Sequence, residues 1–156
     1  MPRRPPRLPP MMAEFDDDER EAVLAANRAF YRAFNERDYE AMEQLWAPTG
    51  AMVCLHPGQG PLHERSEILR SWRGILGHPE SPKVRCTDEW VVGRAGLAIV
   101  VCREILANGQ LMATNTFVRL ASGWHIVGHH SGPVPTVERR PTAAAVAPTR
   151  DRRKLH

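Results

Sequence analysis

Apolar positions recur at helical spacing in the first half of the chain and alternate as strands in the second. Val23, Ala26, Phe30, Ala33 and Phe34 share one side of a helix. The acidic run Asp16-Asp17-Asp18-Glu19 stands where a helix start exposes unpaired amides and the positive end of its dipole, so the pattern predicts a helix over 18–36. Asp38 is placed to cap a short second helix over 39–46, which Pro48 and Gly50 end. Residues 51–56 read as a strand, followed by the loop Pro57-Gly58-Gln59-Gly60-Pro61. Ser66 is expected to cap a third helix that carries Ile68, Leu69, Trp72, Ile75 and Leu76 on one side and stops at Gly77-His78-Pro79.

From Val84 the spacing changes to period two, in runs over 84–92, 97–107, 110–121 and 124–130 that are rich in valine, isoleucine and threonine. Asn108-Gly109 between two of them is a strong hairpin signal. Sequential strands with tight turns form an antiparallel meander, because parallel neighbours need long crossovers. Helices first and strands later make the chain α+β. The simplest packing curls the sheet and lays three helices over its concave side, an arrangement that leaves a pocket at its open end.

Composition adds a division of the chain. A length of 156 residues with 42% hydrophobic content suits one domain. The net charge of +3 is not spread evenly. Nine of the 21 basic residues lie in 1–13 and 139–156, against the single acid Asp151, so 14–138 holds 12 basic and 17 acidic residues, a formal charge of −5. An acidic body with basic ends argues against specific nucleic-acid binding, which needs ordered cations along one surface. The expected organisation is a disordered Pro/Arg leader over 1–13, a folded domain over 14–136 and a disordered basic tail over 137–156. No apolar run approaches membrane-spanning length. Cys54, Cys86 and Cys102 form no disulfide framework, which fits a reduced, cytoplasmic setting. No phosphate loop or nucleophile elbow occurs, so no cofactor is indicated.

The order and spacing of several short pieces resemble the nuclear transport factor 2-like superfamily, especially its SnoaL-like branch, and are similar to the association domain of calcium/calmodulin-dependent kinase II. These pieces are Phe34-Asn35-Glu36-Arg37-Asp38 before Met42 and Trp46, His56-Pro57-Gly58, Ser71-Trp72 with Ile75-Leu76, Thr114-Asn115 with Phe117, and Gly123-Trp124-His125-Ile126-Val127 leading to His129-His130. The resemblance implies a cone-shaped, curved antiparallel sheet covered by helices, a homodimer formed through the sheet, and a cavity between sheet and helices. Members include isomerases, cyclases, dehydratases, non-catalytic binders and assembly domains, so the fold leaves activity open.

Candidate chemistry centres on the strand end Gly128-His129-His130-Ser131. His130 shares strand parity with Trp124 and Ile126 and His129 with His125 and Val127, so only one of the pair faces the cavity; the resemblance to the family implies that it is His130. His56, at the end of the first strand, is the second candidate for moving a proton. Trp72 is expected in the pocket wall. Asn115, inside a β-run, either pins a loop or holds a ligand. Arg103, if inward, would bind an anionic group through its fork of donors; Glu104 beside it has the opposite parity. His56, His63 and His130 match no zinc spacing, so no metal is expected. Two functions follow: a domain that binds a small, partly apolar organic ligand, with His-based acid/base catalysis, or a non-catalytic homodimeric association module.

Overall fold

The computed structural model describes residues 15–134; the leader over 1–13 and the tail over 137–156 lie outside the described residues. Three helices, α1 (Asp17–Glu36), α2 (Tyr39–Leu45) and α3 (Arg65–Gly77), accompany five strands, β1 (Val53–Leu55), β2 (Arg85–Arg94), β3 (Leu97–Leu106), β4 (Gly109–Leu120) and β5 (Gly123–Pro133). The sheet runs β1-β5-β4-β3-β2. β2 through β5 form the antiparallel meander, while β1 lies parallel to β5 with Val53 opposite Gly128. The sheet is curved but not closed into a barrel, and β1 and β2 are its edges.

Local sequence sets most boundaries. The Asp16 carboxylate accepts from the Glu19 amide at 2.8 Å and that of Asp38 from the Ala41 amide at 3.0 Å, so both caps satisfy amides that would otherwise lack partners. Arg37 turns the chain between α1 and α2 in the left-handed region, at φ 56°. The third cap differs from expectation: α3 starts at Arg65 after Glu64, without a side-chain cap, and Ser66 sits inside the helix. Arg65 instead donates to the Ala47 and Glu43 carbonyls at 2.9 and 3.2 Å, tying α3 to the end of α2.

The core lies between the helices and the inner sheet face. Val23, Phe30 and Ala33 of α1, Met42 of α2, and Ile68, Trp72 and Leu76 of α3 meet Ala98, Val100, Ala113, Phe117 and Ile126. Asn35 anchors α1 to the chain entering β2, bonding both the amide and the carbonyl of Val84. Among the described residues no helix is long and apolar enough to cross a membrane.

Two irregularities decide which polar groups point inward. Between β4 and β5 the register shifts at Thr116/Phe117: Phe117 pairs with Ile126 but Thr116 pairs with Gly128, leaving one extra residue in β5. A second shift, between Thr87 and Trp90, places Asp88 at φ 54° and interrupts the pairing of β2 with β3.

Candidate functional site

A hollow of about 500 Å³ opens between α1, α3 and the inner face of β3–β5. Phe30, Phe34, Trp72, Ile75 and Leu111 supply much of its wall, and His56, Glu104, His129 and Ser131 supply the polar groups. Three larger surface depressions, of about 850, 900 and 530 Å³, are flanked by exposed charged residues such as Arg32, Lys83 and Arg70, and among the described residues none brings together buried histidine and carboxylate side chains.

The bulge in β5 corrects the expected orientation of its histidines. His129 is 4% exposed and lines the hollow, whereas His130 is exposed on the outer face opposite Thr114. Simple alternation from Ile126 would give the reverse; the extra residue before Gly128 inverts the parity of everything that follows. Arg103 is likewise outside the hollow: it donates to Asp88 at 3.1 Å and to Gln110 at 3.0 Å. It is the adjacent Glu104 that is buried and faces inward. His56 and Trp72 both lie in the wall, with ring centroids 4.9 Å apart.

Asn115 stands behind the wall and organises it. Glu89 accepts from Asn27 Nδ2 at 2.8 Å, and an ionised carboxylate can only accept. Asn27 must therefore present its oxygen to Asn115, whose Nδ2 donates to it at 2.8 Å. Asn115 in turn presents Oδ1 to His129 Nδ1, 2.6 Å away, so Nδ1 carries the proton. The nitrogen left for the hollow is Nε2, an acceptor and potential base.

His56 is fixed in the opposite tautomer. Ser71 Oγ donates to the Ile68 carbonyl at 2.7 Å and so accepts from His56 Nε2–H at 2.9 Å. Both imidazoles are held neutral. Burial, followed by repulsion from His56 and His130, brings His129 down to about 3, and burial lowers His56.

Glu104 receives two neutral donors, the Tyr31 hydroxyl at 2.8 Å and a short bond from the Ser131 hydroxyl. Burial, then the Glu104 carboxylate and the Cys102 sulfur, push the Tyr31 phenol well above its ordinary value, keeping it a donor. Asn115 Nδ2 also reaches the Tyr31 hydroxyl at 3.2 Å, which joins the His129 and Glu104 arms into one network. The Trp72 indole N–H is buried without a partner among the described residues. Among those residues no group of His, Cys, Asp and Glu side chains could hold a metal ion.

Glu104, His129, Tyr31 and Asn27 were not singled out as site residues from sequence. The sign available for Asn27 was a polar residue on the apolar side of α1, four positions after Val23 and three before Phe30.

The family model described as SnoaL-like domain matches residues 23–136. Two solved structures, each bearing a "putative" designation, are similar along nearly their whole length. A dehydratase of the NTF2-like family from Streptomyces avermitilis is 32% identical, with 76% of this chain and 98% of that one covered and a TM-score of 0.71. A calcium/calmodulin-dependent protein kinase type II association domain from Thiobacillus denitrificans is 29% identical, covering 71% and 94%, with a TM-score of 0.65. F-box protein SKIP8 of Arabidopsis thaliana is 24% identical over 119 residues; the match takes in 70% of this chain but only 48% of that protein, so the chain spans about half the length of this curated relative. With its curved sheet, three covering helices and matched profile, the chain belongs to the SnoaL-like domain family.

Proposed function

We propose that this domain holds a small, partly apolar organic molecule in the hollow beside Trp72, and that His129 is the group that exchanges a proton with it. The observation that carries this reading is the pairing of a neutral, tautomer-locked imidazole with a buried carboxylate on one wall of an otherwise largely apolar pocket. The pocket's volume falls within the roughly 300–1,000 Å³ range of small-molecule sites. A neutral imidazole offering Nε2 can take a proton from carbon or oxygen and, as the imidazolium, return it to a neighbouring position or to a departing hydroxyl. Isomerisation and dehydration both need that single shuttle, and the dehydratase designation of a similar structure supports the second. His56 and Trp72 complete the wall, and Asn115 acts through His129.

The test is a ligand-observed NMR fragment screen of the wild type and a His56→Ala/His129→Ala variant. Hits lost in a variant that keeps its melting behaviour support the site; undiminished binding refutes it.

A second reading, compatible with the first, rests on the outer face of the sheet. Trp90 is 72% exposed and Val92 56%, with Leu97 and Ile99 beside them on β3. An apolar patch of this kind on a sheet is suited to self-association, and the similarity to an association domain favours it. We propose a homodimer through this face, with His130 and Thr114 further along the same surface.

A further inference from the structure

Among the described residues the hollow holds a carboxylate and no cationic side chain. Glu104 is 5% exposed, and its two oxygens accept from the hydroxyls of Tyr31 and Ser131. It takes part in none of the ion pairs formed among the described residues, which engage Glu89, Asp88 and Glu19. Arg103, its neighbour in β3, is turned to the other face and occupied by Asp88. Among the described residues no lysine or arginine lines the hollow, and its two imidazoles are neutral. Hydroxyl donors stabilise a carboxylate without neutralising it, and a buried charge lacking an opposite partner is costly.

The other wall groups fit the same complement. His129 Nε2 is an acceptor by the hydrogen-bond order behind it. Phe30, Phe34 and Trp72 contribute aromatic rings, whose faces attract cations most strongly where water is excluded. The Gln59 amide on the wall is neutral and can meet a hydroxyl or carbonyl of the ligand, but it cannot compensate a charge.

We propose that the ligand of this hollow is a cation: a small aryl- or alkyl-ammonium compound whose ammonium group pairs with Glu104 while its apolar body packs against Phe30, Phe34 and Trp72. This inference rests on the ligand-binding reading above and adds the sign of the charge. It excludes the anionic ligand that an inward Arg103 would have selected. With the ammonium neutralised by Glu104, the opposite end of the molecule is free to meet His129 Nε2.

The experiment uses the full chain and three size-matched probes, 2-phenylethylammonium, 2-phenylethanol and phenylacetate, titrated by calorimetry at pH 7 against the wild type, Glu104→Gln and Trp72→Phe. Since a partner for a buried charge counts for more than a neutral hydrogen bond, the wild type should prefer the ammonium over the alcohol by about tenfold and reject phenylacetate. Glu104→Gln should bring ammonium and alcohol to within about threefold of each other. Trp72→Phe, which keeps the wall aromatic, should retain the order of preference. Binding of the alcohol or phenylacetate as tightly as the ammonium would overturn the charge assignment and leave the pocket standing. An ammonium preference unchanged in Glu104→Gln would overturn it too. Failure of all three probes at millimolar concentration would count against the pocket reading as well.

Discussion

His129 donates through Nδ1 to Asn115 Oδ1 across the β4–β5 ladder, at 2.6 Å. Asn115 can serve as the acceptor because its amide nitrogen is committed to Asn27 and Tyr31. The chain of bonds runs from the partly exposed Glu89 to a ring in the hollow, and each step fixes the next. Replacing Asn115 with Asp puts a negative charge beside the ring, which favours the imidazolium. The folded-state pKa of His129 should then rise from about 3 toward its ordinary value, as read from histidine 15N shifts in a pH titration. An unmoved titration in Asn115→Asp would contradict the relay.

Stability should depend on pH through the same ring. His129 titrates near 6.5 in the unfolded chain and at about 3 when folded. Between these values the unfolded state holds a proton that the folded state lacks, so stability is complete above about 6.5 and is lost as pH falls toward 3. His56 is lowered too and acts in the same direction. The His129 contribution lost between pH 7 and pH 4 is roughly 3 kcal/mol, at about 1.4 kcal/mol per pH unit of displacement. His129→Phe should flatten the slope of urea-unfolding free energy against pH relative to wild type; parallel slopes would show that His129 is not the linked group.

The extra residue in β5 should be indispensable to the hollow. Inserting one residue between Thr116 and Phe117 of β4 gives the extra residue a partner and restores simple alternation, which would turn His129 and Ser131 outward while bringing His130 inward. Glu104 would lose its Ser131 donor, and Asn27 and Tyr31 would lose the Asn115 amide, and leaving buried polar groups unpaired costs about 1–3 kcal/mol each. The insertion variant is expected to melt well below wild type and to bind none of the fragments the wild type binds. Retained binding with an unchanged melting point would mean that the bulge does not set the site.

Association through the sheet has its own signature. Trp90→Glu and Ile99→Lys place charges on the exposed apolar face without touching the inner one. Sedimentation velocity should show the wild type as a dimer and the double variant as a monomer with an unchanged circular dichroism spectrum. A wild type that sediments as a monomer at micromolar concentration would remove the dimer reading while leaving the pocket untouched.

The architecture was legible because it rests on local signals. Val23 to Phe34 at helical spacing, caps at Asp16 and Asp38, and the Asn108-Gly109 turn each act within a few residues, and the helices and hairpins follow them. The candidate site was legible only where a side chain's direction followed from its own element, as with His56 at a strand end and Trp72 on the buried side of α3. It failed at His129 because a bulge is a property of two strands together, and nothing in β5 alone announces the extra residue. It failed at Glu104 for another reason. Leu97, Ile99 and Val101 on one face of β3 are as apolar as Ala98, Val100 and Cys102 on the other, so alternation could not say which face was inside. The outer patch that blurred that reading is the surface suited to association.

Small molecules that enter the hollow beside Trp72 should meet His129. The most direct test is to record the Trp72 indole N–H and His129 ring signals by 1H–15N NMR during titration with fragment hits. Entry into the hollow would move both signals first and saturably, with Trp90 on the outer face unmoved. Saturable binding that shifts Trp90, or side chains around the surface depression near Arg32 and Gln44, and leaves Trp72 and His129 unchanged would contradict it.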